Sequence, residues 1–225
     1  MEAKISAKTP TKRRAKAQPK PYHHGNLRES LLEAADVVLA GRGVHGITLR
    51  DVAKAAGVSH AAPYHHFSSL NDLLAAVAQQ AFVTLGNALE RASGEPDTGE
   101  RLLKINDAYV ACACARPEQF RLMFGPLLTR KAEYPALKAA ADRAFGFLLA
   151  AACAHDPVQG PVLALTGWSL AHGLSNLMID GALEGLPIPL GKPQGLARQL
   201  ALRALGGLTK PPPPSTPKAV GQLGL

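Results

Sequence analysis

Cysteine and aromatic residues are both scarce in this chain, and each shortage narrows what it can be. There are three cysteines, Cys112, Cys114 and Cys153. An odd count without paired spacing is no disulfide framework and is expected of a reducing cytoplasm. Cys112 and Cys114 are two residues apart on a segment expected to be helical, so their side chains diverge by about 200° and cannot hold one ion together. Small buried apolar residues are their expected role, with thiol sensing as the alternative. Aromatic residues make up 5% of the chain, with a single tryptophan, while alanine and leucine dominate, a balance that favours helix over strand. Catalytic signatures are missing too: there is no His-Glu-x-x-His or Glu-x-x-His pair, Walker loop, dinucleotide glycine fingerprint or Gly-x-Ser-x-Gly elbow. A helical metalloenzyme built on His23, His24, His65, His66, His155 and His172 is the weaker alternative, because adjacent histidines on a helix diverge by about 100°. Neither catalysis nor a cofactor or metal is expected. The long uncharged run, residues 157–179, carries Thr166, Ser169, His172, Ser175 and Asn176 as one polar stripe, which suits burial against protein better than a membrane span. No internal repeat is found.

The net charge of +8 is unevenly spread. Residues 1–30 hold eight basic residues against Glu2 and Glu29, with Pro10, Pro19 and Pro21 and no apolar period. A disordered basic arm over residues 1–21 is expected, able to track phosphates or to act only as a solubilising tail. It has no apolar segment of the kind a secretory leader needs, so a cytoplasmic protein is expected.

The most informative stretch is 47–67. Thr48 followed by Asp51 is a helix-start signature. Val52, Ala53 and Ala56 then give one apolar stripe, and Gly57 suits a left-handed helix end. Ser59 is placed to cap a second helix over residues 60–66, and small Ala53 lets the two helices cross closely. This is the pattern of a helix-turn-helix, whose second helix meets base edges in the major groove while the first holds phosphates. His60, Ala61 and Ala62 are candidate base-facing residues. Tyr64, His65 and His66 are placed for backbone or further base contacts, and Thr48 and Arg50 come from the start of the first helix. The competing reading is an ordinary helical hairpin with Tyr64 and Phe67 in its core.

Residues 22–77, through Tyr-His-His-Gly-Asn-Leu-Arg, Gly-Ile-Thr-Leu-Arg-Asp-Val-Ala, Gly-Val-Ser-His-Ala-Ala-Pro-Tyr-His-His-Phe and Leu-Asn-Asp-Leu-Leu, resemble the DNA-binding domain of the TetR/AcrR family of transcriptional regulators. The resemblance implies an all-α protein, a three-helix DNA-binding head on a larger helical body that dimerises and binds a small effector. By position it puts DNA contacts at Thr48, Arg50, His60, Ala61, Tyr64, His65 and His66, and Ser59 joins them as the cap of the reading helix. Two features depart from the family pattern: Leu70 stands where a phosphate-binding lysine is usual, and Pro63 sits inside the second helix, within its first turn, where the backbone hydrogen bond it forfeits costs least.

Beyond the head, helices are expected over residues 69–91, 100–115, 117–127, 134–155, 160–184 and 194–206, followed by a proline-rich tail. The expected domains are thus the arm at 1–21, the head at 22–68, the body at 69–207 and the tail at 208–225. Gly167-Trp168-Ser169-Leu170-Ala171-His172-Gly173-Leu174 resembles a Trp-His-Gly signature of one C-terminal domain type in the same family. Trp168 and His172 fall on one helix face, where a satisfied core pair is expected ahead of a direct ligand role, and Gly173 allows close approach of another helix. The pocket candidates are Tyr109, Phe120, Met123, Phe124, Phe145, Trp168 and His172. The resemblance implies a dimer interface formed by the last two long helices, to which Leu163, Leu170, Leu174, Leu177, Leu196 and Leu200 are expected to contribute by their helical period. The expectation is a cytoplasmic homodimeric repressor, released from a palindromic operator in double-stranded DNA by a small, hydrophobic effector. A nucleoid protein indifferent to DNA sequence is the alternative.

Overall fold

The computed structural model of the chain describes residues 27–187 and 193–208. The basic arm, the first residues of the expected head and the proline-rich tail lie outside the described residues. Among the described residues there are eight α-helices and no strand.

The head begins with α1, Leu27–Arg42, and α2, Leu49–Ala56. Thr48 caps α2 as its sequence requires: its Oγ1 accepts from the Asp51 N–H at 3.2 Å and donates to Asp51 Oδ2 at 2.6 Å. Gly57 ends the helix at φ 72°, a left-handed conformation that lets its N–H donate to the Lys54 carbonyl and the Val58 N–H to the Ala53 carbonyl.

The expected helix over residues 60–66 is not an α-helix but a short 3₁₀ turn, Ala62–His65. Pro63 is the cause. An α-helix would need a hydrogen bond from residue 63 to the Ser59 carbonyl, and proline has no N–H. The Ala62 N–H takes that carbonyl instead, at 3.0 Å, and Tyr64 and His66 donate three residues back, to Ala61 and Pro63. Ser59 accordingly makes no side-chain cap; Ala61 stands at the capping position.

Ser69 opens α3, Leu70–Ala92, by accepting from the Asp72 N–H at 3.1 Å. This helix packs on α1 in the head and on α6 in the body, and its Leu73, Leu74, Val77, Phe82, Leu85 and Leu89 all belong to one continuous core. The body adds α4, Thr98–Ala115; α5, Pro117–Phe124; α6, Pro135–His155; α7, Gly160–Ile179; and α8, Pro193–Leu208. α3 packs on α6, and α4 lies against α7 and α8. α6 and α7 meet where Gly160 touches Cys153, since a Cβ on Gly160 would lie 2.6 Å from the Cys153 backbone.

Three of the boundary differences have a visible local cause. α4 starts two residues early because Asp97 caps it, accepting from the Glu100 N–H at 2.8 Å. α5 stops at Gly125 before Pro126, with the rest of the expected helix forming a 3₁₀ turn, Pro126–Leu128. α7 ends at Ile179 rather than near residue 184, because Gly181 turns left-handed at φ 68°. α7 is long and apolar enough to cross a membrane by length and composition, yet in the fold it packs between α4, α6 and α8.

Candidate DNA-binding face and ligand cavity

Eight of the nine residues assigned to DNA in the head are exposed, Thr48, Arg50, Ser59, His60, Ala61, Tyr64, His65 and His66, while Ala62, expected to face bases, is half-buried. Tyr64 is 61% exposed, so it is not the core residue of an ordinary hairpin, whereas Phe67 is 3% exposed and is. The turn is held from beneath by Pro63 and Phe67, both buried, and the Arg28 guanidinium lies 5.5 Å from the centre of the Phe67 ring. On the α2 side, Arg42 pairs with Asp51 at 2.8 Å. The Thr48 hydroxyl, with help from Arg42, holds the Asp51 carboxyl below the usual carboxylate range, so this acid is spoken for within the head. Arg50 has no carboxylate partner among the described residues, which leaves its guanidinium available to a phosphate.

In the body, the seven pocket candidates come from α4, α5, α6 and α7 and form a connected group. Phe124 lies 4.7 Å from His172 and 5.0 Å from Phe120, ring centre to ring centre, and Phe145 lies 5.6 Å from Trp168. Tyr109 ties the group together: the Trp168 Nε1–H donates to its hydroxyl at 3.2 Å, and that hydroxyl lies 2.9 Å from His172 Nδ1. With the indole already donating to the tyrosine oxygen, the tyrosine proton is free to go to Nδ1, which places the histidine proton on Nε2. Burial pushes the Tyr109 hydroxyl well above its ordinary pKa and the His172 imidazole below its own, so both stay neutral in this chain of bonds.

The group borders three spaces. A cavity of about 330 Å³ is lined by Phe82, Leu85, Tyr109, Phe124, Phe145 and Trp168, with Lys131 and Asp142. Phe120 and Met123 line a smaller one of about 110 Å³ on the other side of Tyr109. Phe124 and His172 also face a cleft of about 430 Å³ between head and body, bounded by Arg42, His45, Glu118 and Arg121. Phe82 and Lys131 were not foreseen: Phe82 lies on the expected helix over residues 69–91, which gave no pocket candidate, and Lys131 lies between two expected helices. Cys112 and Cys114 are half-buried, and burial pushes both thiols up, away from the reactive thiolate.

The leucines assigned to a dimer interface divide. Leu163 and Leu174 are buried within the protomer and Leu170, Leu196 and Leu200 are half-buried, while Leu177 is exposed. The outward stripe of α7 is Val162, Leu165, Ser169, Gly173 and Leu177, which shares Leu177 with the expected set and otherwise runs one position away from Leu163, Leu170 and Leu174. Gly173 therefore meets no other helix among the described residues of its own chain, since nothing lies near where its Cβ would be.

The comparisons with known proteins match both halves of this architecture. Residues 31–77 match the family described as bacterial regulatory proteins, tetR family, and residues 102–202 match the tetracyclin repressor-like C-terminal domain. A solved protein of unknown function from Rhodococcus sp. RHA1 is 31% identical, superposes with a TM-score of 0.69, and is matched over 98% of its length and 83% of this chain. The chain belongs to the TetR family. The TetR family regulator PfmR from Thermus thermophilus is 26% identical with a TM-score of 0.59, over 80% of this chain and 99% of PfmR. The HTH-type transcriptional regulator PksA of Bacillus subtilis (strain 168) is 40% identical over 57 residues, which is 25% of this chain and 28% of PksA. This TetR-family chain is therefore a DNA-binding transcriptional regulator and not an enzyme.

Proposed function

We propose that this regulator acts as a homodimeric cytoplasmic repressor, released from a palindromic operator when a small, largely hydrophobic effector enters the body. The observation that carries the reading is the exposed patch on the head: eight residues from one continuous stretch, all turned to solvent around a core-held turn. His60 and Ala61 face base edges, while Thr48, Arg50, Ser59, Tyr64, His65 and His66 engage the backbone and flanking bases. The head extends over residues 22–68 and the body over 69–207. The basic arm at 1–21 adds phosphate contacts beside the groove.

Two protomers pair through α7 and α8. Support comes from the apolar stripe that α7 leaves uncovered, in which Val162 and Leu165 are 56% and 55% exposed. Two heads related by a two-fold axis then read two half-sites of a palindrome. The effector acts through α5. Phe120 and Phe124 of this helix touch the aromatic group, while its Gln119 donates to Asp36 Oδ1 of α1 at 2.8 Å. Arg121 donates to Asp180 at 2.7 Å and to the Ile179 carbonyl at 3.3 Å, at the end of α7. A ligand that displaces α5 therefore moves the head relative to the dimer helices. By linkage, operator and effector weaken each other's binding by the same factor.

The test is selection of bound DNA from a random pool by the full chain at near-physiological salt. An enriched palindrome supports the reading, retention without a consensus points to sequence-indifferent coating, and no retention overturns DNA binding.

A further inference from the structure

The 330 Å³ cavity is apolar on nearly every side, and its polar groups can be accounted for one by one. The Tyr109 hydroxyl and the Trp168 Nε1–H are bonded to each other, and the hydroxyl also to His172. The Asp142 carboxylate is paired with Lys138, one turn away on α6. The acid nearest in the connecting segment, Glu133, is paired with Arg130 at 2.7 Å. Lys131 is the exception. It sits in the 3₁₀ turn Lys131–Glu133 between α5 and α6, half-buried, with no carboxylate or hydrogen-bond partner among the described residues. Its ammonium lies 5.8 Å from the centre of the Phe82 ring and 5.9 Å from that of Phe124, so two aromatic faces stand in for a counter-ion.

An ammonium half removed from water without an anion is an unsettled charge. Burial pushes its pKa down, and a bound anion would reverse that push. The cavity's size lies at the low end of the range for small-molecule sites. That admits one ring or a short chain and little more.

We propose that this cavity takes a small amphipathic carboxylate, its apolar body against Phe82, Phe124, Phe145 and Trp168 and its carboxylate on Lys131. The proposal rests on the body being the effector-binding part of the regulator, and it names the chemical class of the effector. An amine is disfavoured because the one carboxylate in the lining is already held by Lys138. A neutral apolar molecule would leave Lys131 as it is.

Trp168 is the chain's single tryptophan and lines the cavity, so its fluorescence responds to a ligand that enters it. The full chain, without DNA, is titrated with phenylbutyrate, phenylbutanol and phenylbutylamine, three probes that differ only in the end group. The acid should bind about tenfold more tightly than the alcohol, the increment of one charge-assisted hydrogen bond, and the amine most weakly. In Lys131→Met the preference for acid over alcohol should vanish while alcohol binding remains, and Lys131→Arg should keep it. Equal affinity for acid and alcohol, tightest binding of the amine, or no fluorescence response to any of the three overturns the proposal, and this comparison stands on the wild-type chain even if a variant fails to fold. An acid that binds with the expected preference yet leaves operator affinity unchanged would uphold the ligand class while removing effector-controlled release. Release by some other ligand, with no preference for the acid, would do the reverse.

Discussion

Head and body use their side chains in opposite ways. In the head, the residues that hold the fold and the residues offered to DNA are separate sets: Val52, Ala53, Pro63 and Phe67 are buried, while Arg50, His60, Tyr64 and His65 are exposed. In the body the two sets coincide. Tyr109, Phe120 and Phe124 line the cavities of the body and are also parts of the core, and Tyr109 holds Trp168 and His172 in place. A DNA-reading surface can thus change with little effect on stability, whereas any change in ligand recognition is also a change in packing.

The sharpest way to break this contrast is a pair of truncations. Phe120→Ala should destabilise the protein by about 3–5 kcal/mol, because it opens a cavity beneath Tyr109 and His172. Urea unfolding measures this, and a loss below about 1 kcal/mol would mean that the aromatic group is not part of the core. Next in size is Tyr109→Phe, which keeps the ring but strands the Trp168 Nε1–H and His172 Nδ1. A loss of about 1–3 kcal/mol is expected by the same measurement, with a blank result showing that water replaces the hydroxyl.

The matching substitution in the head is Tyr64→Ala. Its stability should stay within about 0.5 kcal/mol of the parent, while operator affinity falls by about 1–2 kcal/mol across sequences in a binding titration. Loss of stability instead of affinity would put Tyr64 with the body's residues and erase the distinction. His60→Ala refines the head further: it should change preference at one or two bases of each half-site in a repeated selection, with a uniform loss marking it as a phosphate contact.

The smallest effect expected is a pH dependence. Burial keeps the His172 imidazole below its ordinary pKa, so the unfolded chain takes up a proton at higher pH than the folded one. Stability should then fall as pH is lowered from about 7.5 to about 5.5, through the ordinary histidine range. In His172→Gln this part of the fall is absent, and the difference in Tm between the two pH values should narrow. A wider difference would show that His172 is stabilised by its proton, contrary to the bonding with Tyr109.

The same contrast explains what could be read from sequence. The head was legible because its signals are local: Thr48 and Asp51 lie three apart, and Gly57 follows directly. The one local misreading, an α-helix in place of the 3₁₀ turn, came from treating Pro63 as tolerable in a first turn when the bond it lacks is the one that helix needs. The aromatic members of the body's cluster were legible by residue type, since few aromatics exist to choose from. Their joining through Tyr109 was not, because it spans 59 and 63 residues of sequence. Lys131 was invisible: its importance arises from two phenylalanines on other elements and from carboxylates engaged elsewhere. The leucines of α7 were chosen by period, but a helix with apolar residues on both sides does not reveal which side faces its own core.

The turn that carries Tyr64, His65 and His66 is too short to persist by its own hydrogen bonds, and it is held by Pro63 and Phe67 in the core beneath it. Its conformational entropy is therefore lost when the protein folds, not when it meets DNA. The proline ring narrows the turn's freedom in the unfolded chain as well. A head of this kind approaches the groove already ordered, and contacts made there need not first offset the freezing of a loop.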